Sequence, residues 1–172
     1  MKQKKSPLLT AIIIFISVAA GVVLDQYTKW LAVRHLKDQE PISLIKGFFS
    51  LHYLENRGAA FGLMQGQKTI FFIGTAVVTL VIIYFFVKLP RTKHFLPLFA
   101  NGTCILIGAY GNLIDRVRLG YVVDFFYFEL IDFPIFNVAD IFLTVSVIVL
   151  AILILFYYQE DDLNQFGKKE RL

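Results

Sequence analysis

The sequence predicts a membrane all-α protein, with four transmembrane helices and a small extracytoplasmic β-cradle between helices 1 and 2. Three observations carry that reading. Of 172 residues, 57% are hydrophobic and 17% charged, where a soluble domain carries about a quarter charged residues. The apolar residues gather in four blocks, Leu8–Leu24, Thr69–Val87, Phe95–Leu113 and Ile141–Tyr158, each near the roughly 20 residues that cross a hydrocarbon core as a helix. The net charge of +4 is clustered at block ends: Lys2, Lys4 and Lys5; Lys88, Arg91 and Lys93; Lys168, Lys169 and Arg171. Four spans put both termini on one side, and the basic clusters make that side cytoplasmic. No basic face interleaved with aromatics exists, which argues against a nucleic-acid partner. With their flanks, the spans are expected over about 8–33, 69–87, 95–113 and 138–158. External segments follow over about 36–68 and 115–137, all within one domain, residues 1–172.

The first block has a Lys-rich start, an apolar run and Ser17-Val18-Ala19-Ala20, which imitate a cleavable signal peptide. Against this, Ser17, Gly21, Asp25 and Lys29 repeat every four residues and run up one helical face through the supposed cleavage site. Asp25 and Lys29 also stand in the favourable order for an i,i+4 ion pair. The reading is a retained, packed helix, with Tyr27 and Trp30 as interfacial anchors. Next, Pro41–Ile45, a Lys46-Gly47 turn and Phe48–Leu54 read as two short strands, with Phe49, Leu51 and Tyr53 on one face. The small residues of Glu55–Gly62 suit a tight path against a helix bundle.

The second span is almost wholly apolar and is expected to face lipid. In the third, Asn101, Cys104, Gly108, Asn112 and Asp115 fall three or four apart on one face, the mark of a helix interface or cavity wall. The fourth opens with Asn137, Asp140 and Thr144 on one face. The tail from Gln159 is polar and expected to fray.

The polar stripes of spans one, three and four lie toward their external ends. Asp25, Lys29, Asn112, Asp115, Arg116, Asp124, Asn137 and Asp140 are therefore expected at one depth, with Asn56 and Gly58 reaching it from the external segment. The chemistry available there is narrow. His35, His52 and His94 form no His-Glu-x-x-His zinc motif, and no Gly-x-Ser-x-Gly elbow exists. The single cysteine, Cys104, lies inside a span with no histidine expected near it, so neither a disulfide nor a thiol nucleophile is indicated. No metal and no cofactor are called for.

Carboxylates remain. Asp25 has Lys29, and Asp115 has its neighbour Arg116; a paired carboxylate stays ionised and suits structure. Asp124 and Asp140 have no basic residue within four positions. An acid beside hydrocarbon costs about 2.5 to 3.5 kcal/mol and is a functional candidate by default. Two such acids can hold one proton between them and activate a water. The plainer alternatives are an N-cap or first-turn acid for Asp140 and a loop salt bridge for Asp124.

Five segments resemble, in order, the motif series of bacterial lipoprotein signal peptidase, signal peptidase II. They are Asp25-Gln26-Tyr27-Thr28-Lys29, Asn56-Arg57-Gly58-Ala59-Ala60-Phe61-Gly62, Gly111-Asn112-Leu113-Ile114-Asp115-Arg116, Gly120-Tyr121-Val122-Val123-Asp124-Phe125 and Phe136-Asn137-Val138-Ala139-Asp140. One departure is Ile141 after Asp140, where the family often has serine. The resemblance implies an aspartyl membrane endopeptidase of the bacterial cytoplasmic membrane, with its active site near the extracytoplasmic face. Such enzymes cut the signal peptide from a prolipoprotein just before a diacylglyceryl-modified cysteine. It implies Asp124 and Asp140 as the catalytic pair. Asn56, Asn112, Arg116 and Asn137 would line or brace the site with Gly58, while Asp25, Lys29 and Asp115 would serve helix packing. Lipidated prolipoproteins and membrane lipid are the implied partners, and a monomer is expected. Phe125, Phe126, Tyr127 and Phe128 either hold lipid or form an interfacial aromatic belt.

Two other classes use the same residues differently. A proton-coupled transporter also employs membrane acids, though nearer mid-membrane and with repeat symmetry. An assembly factor for membrane helices would need neither carboxylate.

Overall fold

A computed structural model describes residues 6–58 and 67–164. The basic clusters at 2–5 and 168–171, and the motif residues Ala59 to Gly62, lie outside them. Helix α1 spans Pro7–Leu36, and strands β1 (Ile42–Ile45) and β2 (Phe49–Asn56) follow. Helix α2 is Lys68–Lys88, and a short turn leads into α3, Leu96–Arg118. Strand β3 (Val122–Phe128) precedes α4 (Val138–Ile152), which continues as a wider turn to Tyr157. A five-residue helix α5, Glu160–Asn164, comes last.

Four helices are long and apolar enough to cross a membrane, and their outward faces carry large exposed apolar residues such as Phe15, Phe72, Leu80 and Val147. Helix α3 is the centre. Half of its apolar window is buried, against 6, 6 and 11% for the others, and α1, α2 and α4 all pack on it. Close approach makes this possible: a Cβ on Gly108 would stand 2.5 Å from the Ala139 carbonyl oxygen of α4. The expected stripe on α3 is buried at Asn101, Gly108, Asn112 and Asp115, and half-buried at Cys104.

Three details differ from the sequence reading. On α1 the buried face runs Gly21, Asp25, Lys29, Ala32, Leu36, while Ser17 is exposed. The helix runs unbroken through Ser17–Ala20, but the packed face begins one turn later, where α3 is met. On α4 the buried seam is Ala139 to Ser146, two turns apart, which leaves Thr144 exposed. The tail does not fray at Gln159. The Asp162 carboxylate accepts the Gln159 N–H at 3.1 Å and lies 3.1 Å from His94 Nε2, a local cap with a tertiary tie.

The β-cradle has the two expected strands and a third, in the order β1-β2-β3, all antiparallel. Strand β3 comes from between α3 and α4. Its run Val122-Val123-Asp124-Phe125-Phe126-Tyr127-Phe128 is rich in β-branched and aromatic residues, a strand signature within the expected external segment. One face seats the sheet on the end of α1: Val123 and Phe125 form a core with Ala32 and Leu36, joined by Leu51 and Tyr53. Phe49 continues that row toward Phe126 and Phe128. Beyond Leu51 the register shifts before Leu54, where β2 carries an extra residue opposite β3, a bulge.

Candidate active site

Asp124 sits in β3 directly beside that bulge, paired with Leu54. The local twist of a bulge re-aims side chains, and here the carboxylate turns inward and is 1% exposed. Its Oδ2 accepts a 2.8 Å hydrogen bond from Asn56 Nδ2, and its Oδ1 one of 2.6 Å from Asn137 Nδ2. Burial, then the charge of Asp140, push the Asp124 carboxyl up to about 7, against the pull of the two amides.

Asp140 lies in the first turn of α4. The Asn137 side chain accepts the Asp140 N–H at 3.0 Å, and Asp140 Oδ2 accepts the Asn137 N–H at 3.1 Å, a reciprocal capping box. Its other oxygen, Oδ1, accepts from Asn112 Nδ2 at 2.7 Å. The N-cap alternative is therefore half right: Asp140 serves the cap with one oxygen and faces the polar cluster with the other. Asn137, fully buried, touches both acids and donates at 3.1 Å to Asn112 Oδ1 as well.

Behind these groups lies an ionic base. Lys29 Nζ is 2.9 Å from Asp25 Oδ2 and 3.0 Å from Asp115 Oδ2, with all three residues buried. It also donates to Asn112 Oδ1 at 2.9 Å. That bond fixes the Asn112 amide with its NH₂ toward Asp140. Asp25 Oδ1 accepts the Ala139 N–H at 2.8 Å, and Asp115 Oδ2 accepts the Val123 N–H at 3.2 Å. The two structural acids thus hold the backbone one residue from each member of the pair.

The partner expected for Asp115 is corrected. Its cation is Lys29 and not Arg116, because adjacent helical residues point about 100° apart. Arg116 turns the other way: its guanidinium stacks 3.9 Å above the Phe71 ring and donates to the Gly58 carbonyl at 3.1 Å. From there it acts electrostatically on both Asp140 and Asp124. Gly58 is pinned from its other side by Asn56 Oδ1, which accepts its N–H at 2.9 Å.

All ten residues singled out from the sequence meet in this one cluster. One more belongs. Gln26 Nε2 donates to Asp115 Oδ1 at 2.8 Å and to the Gly111 carbonyl at 3.2 Å. It stands one position off the α1 stripe, and nothing in the periodicity marks it. Among the described residues no group of three His, Cys, Asp or Glu side chains is placed to hold a metal.

A family model described as signal peptidase (SPase) II matches residues 17–156. A lipoprotein signal peptidase of Caldanaerobacter subterraneus is 50% identical over 142 residues, covering 81% of this chain and 93% of that protein. One of Clostridium novyi is 42% identical over 138 residues, covering 78% and 92%. A bacterial membrane enzyme solved by the in meso method at 2.3 Å superposes with a TM-score of 0.76 at 33% identity, over 93% of each chain. A second such structure, at 1.9 Å, gives 0.74 at 34% identity over 85% of this chain and 94% of its own.

Proposed function

The chain belongs to the signal peptidase II family, and from that premise we propose that it removes signal peptides from prolipoproteins by aspartyl chemistry at Asp124 and Asp140. The observation that carries the proposal is Asn137. Its amide donates to Asp124 while its backbone N–H donates to Asp140, so a buried acid from a strand and a half-buried one from a helix share one rigid bracket. Two carboxylates held this way with one proton between them are matched to water-activated amide hydrolysis.

The ionised carboxylate takes a proton from a water whose oxygen attacks the scissile carbonyl carbon. The protonated partner gives its proton to the carbonyl oxygen, and a neutral tetrahedral gem-diol results. Collapse returns the hydroxyl proton to the pair, and the leaving nitrogen takes the other as the C–N bond breaks. The pair ends with one proton, as it began. Because Asp124 is pushed up to about 7, the pair retains that proton near neutral pH. Arg116 offers a cation facing both acids, and Asn56, Gly58 and Arg116 are placed to orient a peptide backbone.

The cleaved bond is proposed to precede the diacylglyceryl-modified cysteine. The signal peptide and two acyl chains partition into the bilayer and bring that bond to headgroup depth, where the cluster lies at the external ends of α1 and α3. Both termini are then cytoplasmic and the acids extracytoplasmic. Purified protein given lipidated and unlipidated prolipoprotein side by side tests this. Cleavage of the lipidated form alone, at the bond before the cysteine, is expected; equal cleavage of both removes the lipid-dependent reading.

A further inference from the structure

Between the Pro7 end of α1 and the level of Tyr110 and Ile114 on α3, α1 and α2 diverge over α3 and have little contact with each other. The cleft between them is a groove of about 600 Å³ running from Pro7 to Val22 on α1, about 22 Å at 1.5 Å per residue. Its walls are apolar, with Ala11 and Ala19 on α1, Ile83 on α2 and Leu106 on α3. Arg91, in the turn between α2 and α3, closes the end beside Pro7. The Arg91 Nε is buried, and no described residue accepts its hydrogen bond. Lys88 and Lys93 flank it, both exposed.

We propose that this groove binds one anionic glycerophospholipid, its acyl chain between α1 and α2 and its phosphate on Arg91. The groove is open along its length to the surrounding hydrocarbon, so a lipid acyl chain is the apolar occupant already in contact with its walls. The polar end follows from charge: a buried guanidinium N–H without an acceptor is costly, and a phosphate oxygen supplies a charge-assisted bond. The neighbouring lysines favour a headgroup with no cation of its own. In the orientation proposed above, the lipid belongs to the cytoplasmic leaflet.

Lipid binding is read without substrate, so the result stands apart from the peptidase reading. Delipidated protein in mild detergent is titrated with phosphatidylglycerol or phosphatidylcholine of matched chains and followed by native mass spectrometry. One phosphatidylglycerol per chain is expected, bound about tenfold tighter than phosphatidylcholine, equivalent to about 1.4 kcal/mol. Arg91→Gln should erase that preference. Ala19→Phe, which fills the groove without touching the charge, should weaken both lipids. A parental melting curve in detergent reports that each variant is folded. Equal affinities in the parent, or parental lipid binding by both variants, would overturn the proposal.

Discussion

Asn137 has two tasks that a pair of substitutions separates. As the N-cap of α4 it accepts the Asp140 N–H, and as a donor it reaches Asp124 at 2.6 Å. Asn137→Ala removes both. The cap is worth about 1 kcal/mol, and a hydrogen bond to a charged group about 1.5–3 kcal/mol, so about 2.5–4 kcal/mol of stability should go. Asn137→Ser keeps a capping oxygen but is too short to hold Asp124. It should be about 1 kcal/mol more stable than Asn137→Ala, the worth of the retained cap, and about 1.5–3 kcal/mol less stable than the parent. Its kcat/KM should nevertheless fall about 10- to 150-fold, the same 1.5–3 kcal/mol expressed as rate. Losing an amide that favours the ionised form also moves Asp124 further above about 7, so the alkaline limb of the serine variant should shift upward. Thermal unfolding in detergent and cleavage across a pH series measure the two effects. A serine variant cleaving at the parental rate, with an unshifted profile, would refute the bracket.

The pH dependence of the parent follows from the same carboxyl. Its folded value of about 7 exceeds the usual 3.8, so kcat/KM should decline above about pH 7 as the pair loses its shared proton. Stability moves the same way: the folded state binds that proton more tightly, and the advantage present at low pH is lost as pH rises from 3.8 through about 7. Melting temperatures of parent and Asp124→Asn, taken on both sides of that window, should show the slope in the parent and its flattening in the variant. Lys29→Met leaves Asp25 and Asp115 buried without their cation, at a cost of about 3–5 kcal/mol; loss of folded protein on gel filtration checks it. Gly111→Ala places a Cβ 2.6 Å from Asp25 Oδ2 and 3.0 Å from the Ala139 Cβ. About 1–3 kcal/mol of overpacking should appear as a lowered melting temperature.

The helices were legible because crossing a membrane is a demand on composition, met by any long apolar run. The Asp25–Lys29 pair was legible because a helix fixes which residues are neighbours four positions apart. Contacts between elements are another matter. Asp115 pairs with Lys29 across a helix interface, and only the rotation of α1 against α3 decides that over Arg116. Gln26 enters the network for the same reason. Strand β3 was readable from its β-branched and aromatic residues, but its place beside β2, and the bulge that turns Asp124 inward, are properties of the assembled sheet. Periodicity marks Asn137 as a polar residue on the face of α4, and the family resemblance as one that lines or braces the site. The Asn-x-x-Asp spacing ahead of an apolar run was the available sign of a capping box, and with it of a residue facing both acids at once.

The most direct test of the central claim replaces Asp124 and Asp140 singly with Asn and follows a lipidated prolipoprotein on a gel. Folding of each variant is checked by its melting curve in detergent. The account predicts that each folded variant loses cleavage, because neither carboxylate alone can both take a proton from water and give one to the carbonyl oxygen. Near-parental cleavage by either folded variant would contradict it.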